Sequence, residues 1–108
     1  MLIVLLPDTH ESLVGIIAGR VKERYNRPTI VFTETEDGLV KGSGRSIEVY
    51  DMFHELMACK DLMERFGGHK MAAGMTLHEK DLPELEKRLN ENCVLTEEDF
   101  RQIGRAHV

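Results

Sequence analysis

The chain is 108 residues long, 42% hydrophobic and 31% charged, with a formal net charge of −5. That is apolar enough for one packed domain and excludes wholesale disorder, and no apolar run approaches the roughly 18 residues that a membrane-spanning helix needs. The acidic balance also excludes the global basic footprint of many nucleic-acid-binding domains, so any nucleic acid must be held by a few placed cations.

In chain order, "LIVLL" (2–6) is a short apolar run stopped by Pro7 and reads as a buried strand. It is too short for a secretory h-region and lacks a basic flank, so the sequence gives no support for export. Asp8 or Thr9 is the expected helix cap, with Asp8 and Glu11 spaced as a capping box. Val14, Ile17, Val21 and Tyr25 then recur at helical spacing, and Leu13, Ile16 and Ala18 widen the stripe. Pro28 sets the end of this helix by Asn26. "TIVFT" (29–33) reads as a second strand, "ETEDG" (34–38) as a turn and "LVKGSGRS" (39–46) as a third strand interrupted by glycines.

From Asp51 the run Met52, Leu56, Cys59, Leu62, Met63 and Phe66 predicts a helix, with a break near Lys60–Asp61. A glycine loop follows, then a fourth strand, "AAGMTLH" (72–78). "DLPELEKRLNEN" (81–92) predicts an amphipathic helix capped by Asp81, with Pro83 in its first turn. Its solvent face is acidic: residues 78–99 hold eight Asp and Glu against three Lys and Arg. The expected order is β-α-β-β-α-β-α, an α/β domain with a mixed four-stranded sheet, because a hairpin joins the second and third strands. Cys59 and Cys93 have no CxxC or His partner at ligand spacing and read as reduced thiols of a cytosolic protein.

Two glycine-rich segments carry the chemistry. In "KGSGRS" (41–46), Lys41, Ser43 and Arg45 fall on one face of an extended strand. A hydroxyl beside a planar guanidinium fork suits a phosphate, although a bulge with solvated polar residues would use the same letters. In "FGGHKMAAG" (66–74), Gly67 and Gly68 leave room beside His69 for a close approach to the backbone. His69 has no histidine partner at metal-ligand spacing; a turn role or a hydrogen bond to phosphate or sugar fits it better. Arg20 is either a surface ion-pair partner of Glu23 or Glu11 or a further cation. No carboxylate cluster, GxSxG, Walker A or Cys–His pair is present, so this segment reads as one that binds and does not cleave.

Taken together, "HESLVGIIAGRVKERYNRPTIVFT", "GLVKGSGRSI" and "CKDLMERFGGHKMAAGMTL" resemble the DHHA1 domain of RecJ-like single-stranded-DNA exonucleases, within the DHH/DHHA1 phosphoesterases. The resemblance covers about residues 2 to 92. It implies a parent enzyme that hydrolyses single-stranded DNA from the 5′ end in DNA repair and recombination, in the cytoplasm. Mn²⁺ or Mg²⁺ would be held by a DHH domain of the same protein and would activate water there. DHHA1 would close the other side of the cleft and hold single-stranded DNA. Ser43 and Arg45 would then grip the phosphate at the 5′ end, Arg20 the backbone, and Gly67, Gly68 and His69 would line the pocket. Lys70 adds a cation beside His69, and no metal site is expected in this chain.

The DHH motif is absent, and the family's commoner GRSIPGFD stands here as "GRSIEVYD". Alternatives are a DHHA1 phosphodiesterase of short oligoribonucleotides or cyclic dinucleotides, and a non-enzymatic nucleic-acid-binding module as in alanyl-tRNA synthetases. Residues 1–92 are expected to form the nucleic-acid-binding domain and 93–102 to open a truncated following segment. "IGRAHV" (103–108) matches one reading frame of a common sequencing adapter and is expected to be non-native.

Overall fold

In the computed structural model, residues 1–35 and 38–91 are described. The apolar run at the start forms β1 (Leu2–Leu5), which pairs in parallel with β2 (Thr29–Glu34). β1 is an edge strand with Val4 exposed, so it is less buried than its composition predicts. Between them, α1 (Glu11–Tyr25) begins later than expected, its cap lying one residue after Thr9 and two after Asp8. His10 is the N-cap, its Nδ1 accepting from the Ser12 amide at 3.1 Å. Thr9 is occupied elsewhere, because its carbonyl accepts from the Thr33 hydroxyl on β2. The helix ends as expected, at Asn26 in the left-handed conformation (φ 52°) two residues before Pro28.

β2 turns back into β3 (Leu39–Arg45) as the expected antiparallel hairpin. Ser46 then closes the connection to the next helix: its hydroxyl donates to the Tyr50 carbonyl at 2.6 Å, with Ile47 and Tyr50 buried. α2 covers only Met52–Met57, capped by Asp51, whose carboxylate accepts from the His54 amide at 3.0 Å. One 3₁₀ turn (Lys60–Leu62) follows, and the chain then becomes strand β4 (Met63–His69).

This corrects three expectations at once, since neither a helix to Phe66 nor a glycine loop is present, and the sheet has five strands where four were expected. The cause is a bulge. β4 pairs with β5 (Ala72–His78), and the register shifts between Met63, opposite Leu77, and Arg65, opposite Thr76. The extra residue puts Met63 and Phe66 on the same core face three positions apart, which on paper is a helical spacing. A two-residue turn, Lys70–Met71, joins β4 to β5.

The sheet order is β1-β2-β3-β5-β4, mixed because only β1 and β2 are parallel. After β5, a 3₁₀ turn (Glu79–Asp81) precedes α3 (Leu82–Glu91), which buries Leu85 and Leu89 as its periodicity requires. Arg88 on α3 is clamped to Asp61 at 2.9 and 3.0 Å and to Glu84 at 3.2 Å, and these carboxylates raise its already high pKa.

The main core lies between the sheet and α2 and α3. It contains Ile30, Phe32, Val40, Met52, Leu56, Met75, Leu77, Leu85 and Leu89. Each such side chain contributes about 1.5–3 kcal/mol by leaving water. Cys59 is buried here as a free thiol, and burial pushes its pKa up. The opposite face carries a smaller cluster, Val14, Ala18 and Val31, under α1. One narrow helix stripe suffices there: of the residues expected to widen it, Ala18 is buried but Leu13 and Ile16 are exposed, as is Tyr25, which was expected on the stripe itself. Residues 92–108, including the two expected terminal segments, lie outside the described residues.

Candidate nucleic-acid interface

α1 rests mainly against β2 and β3. On the same face of the sheet, β5 and β4 extend beyond it, and strand register fixes which residues line this uncovered part. Three cross-strand rows run from β3, at the border of α1, out onto it. Lys41, Thr76 and Arg65 form one, Ser43, Gly74 and Gly67 the next, and Arg45, Ala72 and His69 the third. The alternating residues Val40, Met75 and Leu77 are buried on the other face, as the period of two requires. The result is a floor of glycine and alanine with a cation or histidine at each corner.

Ser43 and Arg45 form the best-defined part. The Arg45 guanidinium donates through Nη1 to the Ser43 hydroxyl at 2.9 Å and to the Gly44 carbonyl at 2.7 Å. Its remaining N–H donors are left for an acceptor above the sheet. Gly15 of α1 makes room for this: a Cβ there would stand 2.9 Å from Arg45 Nη2 and 3.2 Å from Ser43 Oγ. Lys41 lies one row away, paired with Glu11 at 3.3 Å. Both groups are about half exposed, so the pair is worth at most about 1 kcal/mol and yields readily to a phosphate.

At the far corner the Nδ1 of His69 accepts from the Met71 amide at 3.3 Å. With Nδ1 accepting, Nε2 of the neutral ring carries the hydrogen and is free to donate to an oxygen acceptor. Lys70 is exposed at the adjacent hairpin tip. The tip is anchored, because the Lys70 carbonyl accepts from the Met52 amide at 3.1 Å and the Met71 carbonyl from the Ser46 amide at 2.8 Å.

The glycines divide by direction. Gly67 and Gly74 open onto the floor, where added Cβ atoms would meet nothing closer than 4.0 Å. Gly68 is structural: its φ of 148° favours glycine, and a Cβ would sit 2.4 Å from the Ala72 carbonyl oxygen. Gly42 and Gly44 face the core, where added Cβ atoms would stand 2.4 Å from the Phe32 ring and 2.5 Å from Met52 Sδ. Their smallness therefore serves packing and does not bring the backbone close to an anion.

Arg20 is not brought to this floor. It shares the exposed stripe of α1 with Leu13 and Ile16, and it makes no ion pair with Glu23 or Glu11 among the described residues. Arg65 and Thr76, by contrast, are on the floor and were not singled out by sequence. A helix to Phe66 hides Arg65, whereas the alternation Arg65, Gly67, His69 around Phe66 and Gly68 would have revealed it. Among the described residues, no three His, Cys, Asp or Glu are grouped to hold a metal ion. Nor is any helix among them long and apolar enough to cross a membrane.

The family model for the DHHA1 domain matches residues 1–94. The chain belongs to the DHHA1 family. Over 102 residues this DHHA1 chain is 45% identical to the single-stranded-DNA-specific exonuclease RecJ of Bacillus subtilis, a match that covers 92% of this chain and 13% of that protein. A crystal structure of exonuclease RecJ bound to manganese superposes with a TM-score of 0.80 at 29% identity, covering 93% of this chain and 25% of that one. RecJ of Thermus thermophilus in complex with Mg²⁺ gives a TM-score of 0.75 at 32% identity, over 83% of this chain and 14% of the other. The DHHA1 chain thus spans about an eighth of the length of the curated relative described here.

Proposed function

We propose that this DHHA1 chain is the strand-holding part of a RecJ-type single-stranded-DNA exonuclease. The observation that carries the reading is the uncovered floor beside α1, flat at Gly67, Gly74 and Ala72 and bounded by Lys41, Ser43, Arg45, Arg65 and His69. Such a surface suits a flexible polyanion that must lie close to the backbone, and its few placed cations compensate for an acidic chain. The relatives' names supply the substrate class.

Arg45, steadied by the Ser43 hydroxyl and the Gly44 carbonyl, grips the phosphate at the 5′ end. His69 donates from Nε2 to a phosphate or sugar oxygen at the opposite corner, and Lys70 adds charge there. Arg20 engages only a strand that passes over the outer side of α1. Hydrolysis belongs to the DHH domain of the parent protein, where Mn²⁺ or Mg²⁺ supplies water activation; this chain binds and orients the strand.

Fluorescence anisotropy tests the reading with a 3′-labelled oligodeoxynucleotide carrying a 5′-phosphate or a 5′-hydroxyl. The 5′-phosphate is expected to tighten binding to the unmodified chain and to make little difference to Arg45→Ala. Equal binding of both oligonucleotides by both proteins would refute the 5′-end grip.

A further inference from the structure

Arg65 is exposed on β4 and makes no hydrogen bond or ion pair among the described residues. The carboxylate next to it in sequence, Glu64, is held by His78 at 3.0 Å. Arg65 is therefore a cation kept free of internal partners on the floor described above. Its row partner is Thr76, and beyond Thr76 stands Lys41 on β3. β3 and β4 are separated by β5, so Arg65 lies two strand spacings, about 9–10 Å, from β3, and further still along the strands from Arg45. One phosphate cannot engage both arginines from these positions. The surface between them is Gly74 and Gly67, with no side chain above it.

From this arrangement we infer a second phosphate subsite formed by Arg65, with the Thr76 hydroxyl and Lys41 at its border, which takes an internal phosphodiester of the bound strand. The strand then runs diagonally over the glycine floor from Arg45 to Arg65. This inference rests on the strand-holding function proposed above. The bulge at Met63–Arg65 gives the subsite its position, because without the extra residue Arg65 would face the core.

The test compares Arg65→Ala with Arg45→Ala on two probes, a 5′-phosphorylated thymidine octanucleotide and a 5′-phosphorylated thymidine dinucleotide used as its competitor. Circular dichroism first verifies that both variants keep the native fold. Arg65→Ala is expected to weaken the octanucleotide about 5- to 10-fold and leave the dinucleotide unchanged, whereas Arg45→Ala weakens both. The slope of log affinity against log salt for the octanucleotide should also fall by about 0.7 in Arg65→Ala, and Arg65→Lys should restore it. An octanucleotide affinity sensitive to Arg45→Ala and untouched by Arg65→Ala overturns the second subsite and leaves the proposed function standing. Equal weakening of both probes by Arg65→Ala overturns it too, since Arg65 would then act at the 5′ end. Failure of the unmodified chain to bind either probe removes the proposed function and this inference together.

Discussion

The two glycine-rich segments look alike as strings and do opposite things in the fold. In "KGSGRS" the glycines point into the core and the polar residues point out, so Gly42 and Gly44 make room for Phe32 and Met52 while Ser43 and Arg45 stay available. Along β4 and β5, Gly67 and Gly74 point outward into open space, and only Gly68 is needed by the hairpin itself. A glycine near a binding residue is thus evidence of a ligand only once its direction is known. Strand alternation supplies that direction, and strand assignment is the step on which it depends.

This contrast can be broken by adding single methyl groups. The largest effect is expected at the packing glycines. Gly68→Ala combines a positive φ with a backbone clash, and Gly42→Ala drives a methyl into a pinned ring; each should cost about 1–3 kcal/mol or more. In thermal unfolding that corresponds to a loss of several degrees in Tm. Next is Arg45→Ala, expected to leave Tm nearly unchanged and to weaken 5′-phosphorylated single-stranded DNA by about 10-fold in anisotropy.

Gly15→Ala sharpens the comparison, because helix propensity favours alanine by up to about 1 kcal/mol while the new methyl displaces the Arg45 guanidinium. Stability should hold or rise as affinity falls, a split that a packing glycine cannot produce. At Gly67→Ala the fold should keep its stability to within about 0.5 kcal/mol, and only binding should drop.

The smallest effect concerns pH. Protonated Glu34, which is exposed, donates a hydrogen bond to the Glu79 carboxylate, and this bond together with the negative charge of Glu79 raises the Glu34 pKa above its ordinary 4.5. The folded state therefore holds this proton more tightly than the unfolded chain. Its stabilising contribution is full at low pH and is lost as pH rises through the raised folded pKa. Glu79→Gln should flatten that decline in urea titrations at successive pH values, weakly and only at low salt.

Much of the fold was legible in the chain. β1, α1, the β2–β3 hairpin, β5 and α3 follow from apolar periodicity and from Pro28 and Pro83, and the α/β class with a mixed sheet follows from their order. β4 was hidden because its bulge spaces Met63 and Phe66 as a helix would, directly after a real helical stretch. The candidate site was half legible for the same reason. Lys41, Ser43 and Arg45 could be placed on one face from the period of two, but Arg65 and Thr76 could join them only after β4 existed. The exposure of Leu13 and Ile16 was hidden too, because periodicity gives the direction of a stripe and not the width of the surface that covers it.

The central claim is that the uncovered face beside α1, and not the face covered by α2 and α3, meets the strand. Amide chemical-shift mapping of the ¹⁵N-labelled chain, titrated with a 5′-phosphorylated single-stranded octanucleotide, tests this directly. The expected perturbations cluster at Ser43, Arg45, Arg65, Gly67, His69, Gly74 and Thr76, with Leu56, Leu85 and Leu89 unmoved. Shifts concentrated on α2 and α3, or along the β1 edge, would contradict the account.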